Sequence, residues 1–325
     1  MEQNSFNAAN NPDFKVLQVQ EELLKLDVRR YKMERLPSLG AFYQMSSKAF
    51  DIKYDNSVAL LALNNNLHVL DLNSGKATNI GMLQQQIIDL AIPTEPVAYA
   101  VDNSNNLQIF NPNSPMPVSK AITGLQSGEN ILGIDFRPLN GQLYALGSTS
   151  RVYTINASSG AAVAVGTAPI SPLLSGTSFG FDFNPTVDRI RIVSNTGQKL
   201  RFNPADGVAI TAGALTTTGQ ISGAAYTNNF AGSTTTVLFD IDSTNDLLVR
   251  QDPPNSGGIV DVGALGVNVE AANGFDIGST SNMAYGIFTV AGTQRLYSVN
   301  LTTGAATAGA TITTAARGFT LGLGF

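Results

Sequence analysis

Five aspartates recur in one kind of short apolar segment and are the residues most suited to chemistry. They are Asp51 in AFDIKY (49–54), Asp89 in IIDLAI (87–92), Asp135 in GIDFRP (133–138), Asp182 in GFDFNP (180–185) and Asp276 in GFDIGS (274–279). Carboxylates repeated on strands around a common axis could ring a Ca2+ ion, which takes about six to eight oxygen ligands. The competing reading is structural: each carboxylate accepts backbone amides of its own repeat or the next, as buried carboxylates are almost always paired. Near-identical spelling in successive repeats favours that reading, since a catalytic site would break the repeat's symmetry.

A second cluster is cationic. Arg189, Arg191, Lys199 and Arg201 lie on two adjacent predicted strands, RIRIV and QKLRF. If the hairpin register sets them on one face, their mutual repulsion would be relieved by an anion; otherwise they form a solvated face. Asp240, Asp242 and Asp246 in DIDSTND resemble a calcium loop, but Asn245 and Gln251 stand where its Gly and Glu belong, so an Asp-rich turn is expected. The single histidine, His68, occupies a position held by Gln108, Tyr153, Leu200 and Tyr297 in other repeats. With one His and no Cys, nucleophilic triads and His- or Cys-based zinc sites lack their parts.

The elements that would position these residues form an internal repeat. Counting the degenerate copies GAAY (223–226) and GFTL (318–321), the Asp-equivalent positions fall at 51, 89, 135, 182, 225, 276 and 320. Their spacings are 38, 46, 47, 43, 51 and 44 residues. A turn element follows at a steady offset: DLNSG (71–75), NASSG (156–160), NPADG (203–207) and NLTTG (300–304). Asp or Asn four residues before Gly is turn chemistry, the side chain holding the backbone and Gly supplying a positive φ. With a hairpin between these elements and a strand after them, each repeat predicts four antiparallel strands. Such units are propeller blades, which bury their faces only by stacking around an axis. The expected fold is therefore all-β: residues 49–325 as a six-bladed β-propeller of four-stranded antiparallel blades. The last copy, GFTLGLGF, supplies only a first strand and is expected to close the ring on the blade begun near Ala49.

The stretches 133–166 and 180–207 resemble a bacterial family known only as domain of unknown function 4394, more loosely over 87–325. The resemblance implies the propeller and no activity. Members of that family commonly follow a secretion signal, whereas MEQNSFNAANNPDF has neither a basic nor an apolar signal region.

Residues 1–48 read differently. Residues 1–50 hold 13 of the 43 Asp, Glu, Lys and Arg residues, which marks a boundary near Ser46–Lys48. In KVLQVQEELLKLDVRRYKMER, Val16, Val19, Leu23 and Leu26 follow helical spacing beside a second stripe that ends in Tyr31. The segment is expected to be a helical arm whose apolar face meets a protein partner or a second copy of the chain, or packs on its own propeller. A net charge of −5 argues against nucleic acid, and no apolar run reaches the about 18 residues of a membrane span.

These features lead to the expectation of a non-enzymatic structural or binding module. Weakly charged, Gly- and Thr-rich repeats with an attachment arm suit a virion or extracellular surface assembly. Two alternatives stay open. One is a hydrolase of small esters, lactones or sugars with a central metal, as in some six-bladed propellers; the other is a carbohydrate-binding protein using Tyr and Asn on its loops.

Overall fold

Short apolar segments joined by Asn-, Asp- and Gly-rich turns fold here into strand after strand. The computed structural model describes residues 48–52, 59–85, 87, 89–90, 92, 96–216 and 219–324, all-β without a helix among them. The expected helical arm, with Val16, Val19, Leu23, Leu26 and Tyr31, lies outside the described residues. The chain divides into two compact units, Met1–Thr94 and Glu95–Phe325.

The first unit contains one antiparallel sheet in sequence order: β1 (Lys48–Ile52), β2 (Ala59–Leu63), β3 (Asn66–Leu70) and β4 (Ala77–Met82). The second contains five more four-stranded sheets. Its first three strands are β5 (Ala98–Asp102), β6 (Asn106–Asn111) and β7 (Ser114–Ala121). The next sheet is β8 (Ile131–Phe136), β9 (Leu143–Gly147), β10 (Arg151–Ile155) and β11 (Ala162–Ala164). Then come β12 (Phe179–Asn184), β13 (Arg189–Ser194), β14 (Lys199–Phe202) and β15 (Ala209–Thr211). They are followed by β16 (Ile221–Tyr226), β17 (Leu238–Asp242), β18 (Leu247–Gln251) and β19 (Ile259–Ala264). The last sheet is β20 (Ala271–Ile277), β21 (Ala284–Val290), β22 (Thr293–Val299) and β23 (Ala306–Thr311), and β24 (Ala316–Leu321) ends the order.

The repeat thus yields six four-stranded antiparallel sheets, as its period predicts. The closure differs from expectation. β24 pairs with β5, Leu321 opposite Ala98 and Ala316 opposite Asp102, and so completes the sheet of the second repeat rather than that of the first. The physical reason is a vacant edge. The described residues of IIDLAI (87, 89, 90 and 92) are not in a strand, and β24 takes the place beside β5 that this copy was expected to fill. Phe319 and Leu321 then bury against Ala98, Ala100 and Phe110.

Within the second unit the five first strands adjoin one another cyclically, in the order β24, β8, β12, β16, β20 and back to β24. Their close approach depends on glycine. A Cβ on Gly180 would lie 2.5 Å from the Ala224 nitrogen, and one on Gly274 would lie 2.4 Å from Phe319 Cβ. Gly133, Gly223 and Gly318 meet the next first strand in the same way, Gly318 facing Gly133 and so completing the circle. Between neighbouring sheets the faces are filled by large side chains, such as Tyr144, Phe181, Phe183, Ile192 and Phe202.

The turns behave as their sequences indicate. Asn156 Oδ1 accepts the amides of Ser158 and Ser159, Asn300 Oδ1 those of Thr302 and Thr303, and Asp71 Oδ1 those of Asn73 and Ser74. Gly75, Gly160, Gly207 and Gly304 close these turns at φ of 71–81°.

Candidate functional site

The first strands carry Asp135, Asp182, Ala225, Asp276 and Thr320 at equivalent positions, each two residues after one of the ring glycines. Three of the five predicted aspartates therefore converge. One carboxylate oxygen from each of Asp135, Asp182 and Asp276 lies within 4.8 Å of the others, and all three residues are buried. Asp51 and Asp89 belong to the other unit. Asp51 is half-buried and accepts the amides of Ile52 (2.9 Å) and Ile92 (2.6 Å), while Asp89 is exposed and accepts that of Leu90.

Each carboxyl of the triad ties its strand to the next. Asp135 accepts the Phe136 amide of its own strand and the Phe183 amide of β12, both at 2.7 Å. Asp182 accepts the Tyr226 amide of β16 at 2.9 Å. Asp276 accepts the amides of Ile277 and of Leu321 on β24, both at 2.6 Å. The rule is constant: the aspartate of one repeat receives the amide that follows the equivalent position in the next.

Three carboxyl groups this close, out of water, cannot all ionise. Burial first, and then the neighbouring carboxylates, hold Asp135 and Asp182 well above the ordinary carboxylate range. Burial raises Asp276 too, to about 6, the amides of Leu321 and Ile277 restraining the rise. Protons retained among the three carboxyls are one way to satisfy the arrangement. A hard divalent cation is the other way to neutralise it. Three carboxylates and the Thr320 hydroxyl are the oxygen donors Ca2+ prefers, but their oxygens already accept the amides of neighbouring strands.

The four predicted cationic residues are placed differently from a solvated face. Arg191 stands directly opposite Arg201 across β13 and β14, with Lys199 opposite Val193 on the same face. Arg191 and Lys199 are buried, 2% and 1% exposed. Arg191 donates to the Tyr226 hydroxyl (3.2 Å) and to Asn255 Oδ1 (3.0 Å), and Lys199 donates to the Pro254 carbonyl (2.9 Å). Arg189 is spent locally on the carbonyls of Val187 and Asp188.

Sequence reasoning did not foresee the groups that face this cluster. Asp240 is wholly buried on β17 and bonds Gln251 at 2.7 Å; burial pushes its carboxyl up to about 7 against the pull of Arg191 and Lys199. The Lys199 ammonium is held down to about 8, by burial and by Arg191. Asp242 accepts the amides of Thr244 and Asn245, as a turn requires, whereas Asp246 reaches across to accept that of Val269, 23 residues on. His68 sits half-buried on β3 opposite Leu61. Among the described residues no helix is long and apolar enough to cross a membrane.

A closed ring of four-stranded antiparallel sheets with carboxyls stitched around its axis defines a β-propeller-like protein. The chain belongs to the family described as Domain of unknown function (DUF4394), whose profile matches residues 106–321. No curated protein matches it. Among solved structures it is similar to a structural-genomics protein of unknown function from Bacteroides thetaiotaomicron VPI-5482, at 11% identity and a TM-score of 0.45. That likeness covers 74% of this chain and 66% of the other, just under two thirds of its length. A chain from a nidogen/laminin complex is similar at 14% identity and a TM-score of 0.47, over 82% of this chain and 98% of that one. Likenesses this distant say nothing of activity.

Proposed function

We propose that the protein is a non-enzymatic structural or binding module. In this reading the propeller-like ring is a rigid display platform. Residues 1–48 fasten it to a protein partner or to another copy, within a larger assembly such as a virion or an extracellular surface structure. The observation that carries the reading is the use of the axial carboxyls. Asp135, Asp182 and Asp276 are sealed from solvent, and each accepts a backbone amide of the adjoining strand. The centre of the ring, where aspartates could serve chemistry, is spent on holding the sheets together.

The outer strands support the same reading. β4 is exposed along its whole length and β7 along most of it. Met116 (83% exposed) and Val118 project from β7, and Ile210 from β15. Strands of this kind offer contact surface rather than a catalytic cleft. The fastening role rests on the helical spacing of Val16, Val19, Leu23, Leu26 and Tyr31 in the sequence.

The test compares the full chain with one beginning at residue 48, by light scattering after size exclusion and by co-assembly with its native particle. The expected result is a folded, monomeric truncated chain that no longer oligomerises or incorporates. Unchanged assembly of the truncated chain would overturn the fastening role.

A metal-centred hydrolase of small esters, lactones or sugars is the second reading, favoured by the 4.8 Å convergence of three carboxylate oxygens. It requires Ca2+ to displace the protons of the triad and substrate to reach a buried ion.

A further inference from the structure

The interface between the sheets β12–β15 and β16–β19 contains more unfulfilled polar chemistry than any other described part of the chain. Arg191 Nη1, Arg201 Nε, Asp240 Oδ1 and Gln251 Oε1 are all shut off from solvent without a hydrogen-bond partner. The strand registers explain why they share one layer. Arg191 and Arg201 are directly opposed on β13 and β14, with Lys199 two pairs further along and so on the same face. On the facing sheet, Asp240 lies opposite Ala224, and Leu238 lies opposite both Tyr226 and Gln251. Alternation along β16, β17 and β18 then puts Tyr226, Asp240 and Gln251 on one side. The bond from Arg191 to Tyr226 joins the two faces.

Cations outnumber carboxyls in this layer: Arg191, Lys199 and Arg201 meet Asp240, and the one further carboxyl in register, Asp182 opposite Arg191, already accepts the Tyr226 amide. The chemistry left over is equally specific. A guanidinium nitrogen from each arginine and the remaining hydrogens of the Lys199 ammonium call for an acceptor. Asp240 Oδ1 and Gln251 Oε1 call for a donor. Buried polar groups in folded proteins are satisfied as a rule, and a cluster of exceptions marks an unaccounted water, ion or ligand.

We propose that this layer is a binding site for a small oxyanion that also carries a hydroxyl or ammonium group. Its carboxylate or phosphate lies against Arg191, Lys199 and Arg201, and its donor against Asp240 and Gln251. Arginine forks match such oxyanions in shape as well as charge. The turn over residues 252–258 roofs the site, supplying the Pro254 carbonyl to Lys199 and the Asn255 side chain to Arg191. Arg201 is only partly buried and Asn255 is exposed, so the approach is from the outside, beneath this turn. The site is independent of the platform reading: a ligand here would clamp two sheets together whatever the ring displays.

The experiment is a thermal-shift and calorimetric titration of the full chain with inorganic phosphate, glycerate and serine, each against sodium chloride at equal ionic strength. At least one probe is expected to raise the melting temperature saturably and to bind with a single-site isotherm. Arg201→Ala, at the accessible edge, is expected to weaken that binding at least tenfold while the free protein still melts cooperatively. Arg191→Gln should abolish it; if that variant does not fold, Arg201→Ala and Gln251→Leu carry the test. No shift beyond the chloride control for any probe would mean that water alone fills the layer and would overturn the proposal. Binding that survives both Arg201→Ala and Gln251→Leu unchanged would overturn it as well.

Discussion

The Thr320 hydroxyl oxygen lies 2.9 Å from Asp135 Oδ1 and 3.0 Å from Asp276 Oδ2. A hydroxyl brings one hydrogen, so the second of these contacts needs a proton from a carboxyl. Thr320 stands where three other repeats carry aspartate. It lets the closing strand β24 enter a ring of acids without adding a fourth carboxyl. Thr320→Val keeps the shape and removes both contacts. It should destabilise the chain by about 1–3 kcal/mol, read from denaturant melts, because two buried carboxyls lose a partner.

Stability should fall as pH rises from about 4 to 7. Asp276 is raised to about 6 and Asp240 to about 7, and Asp135 and Asp182 are also held well above the ordinary carboxylate value of 3.8. The folded state therefore holds protons that the unfolded chain has released, and their contribution is complete below the unfolded pKa and lost through the folded one. Lys199, lowered to about 8, acts with the opposite sign between there and 10.5. Melts across pH 4–8 should show a decline on the order of a few kcal/mol, and Asp182→Asn should flatten it. A stability that instead climbs over this range would mean the triad is ionised and holds a cation.

Neither EDTA nor Ca2+ should move the melting temperature at neutral pH. An ion bound only by the native state would add about 2.7 kcal/mol at a hundredfold excess over its dissociation constant. A clear calcium-dependent rise that Asp135→Asn abolishes would favour the hydrolase reading over the platform.

Gly274→Ala should be among the most damaging single-methyl changes. Its Cβ would meet Phe319 Cβ at 2.4 Å, at a backbone φ of 150° that L side chains rarely adopt. Overpacking of this kind costs about 1–3 kcal/mol, with a melting shift of about 2–4 °C per kcal/mol in a unit of this size. A core alanine swap on a second strand, such as Ile241→Ala, leaves a cavity and should not impair ring closure in the same way; limited proteolysis of β24 distinguishes the two.

Much of the architecture was legible because strand, turn and spacing are local. The four-strand period, the Asn- and Asp-based turns and the apolar first strands all follow from short-range chemistry. The choice of closing partner was legible too, but in glycine rather than aspartate. Gly133, Gly180, Gly223, Gly274 and Gly318 stand two residues before the equivalent position in the five strands of the ring, where AFDIKY and IIDLAI have Ala49 and Ile87. Aligning on the Asp-equivalent position joins all seven copies; counting glycines separates the five that approach closely enough to need one. The inter-sheet layer was harder to read. Strand alternation placed Arg191, Lys199 and Arg201 on one face, but their covering partners Tyr226 and Asn255 lie 35 and 64 residues beyond Arg191, and no local pattern links them.

The central claim is that residues 95–325 close a ring by themselves and leave residues 1–48 for attachment. Its most direct test is a fragment of residues 95–325, followed by circular dichroism, thermal melting and light scattering beside the full chain. The account predicts a β-rich monomer with one cooperative transition, in which removal of residues 317–325 abolishes folding and from which the full chain's assembly is lost. A fragment that is unfolded or aggregated, or one that still assembles as the full chain does, would contradict it.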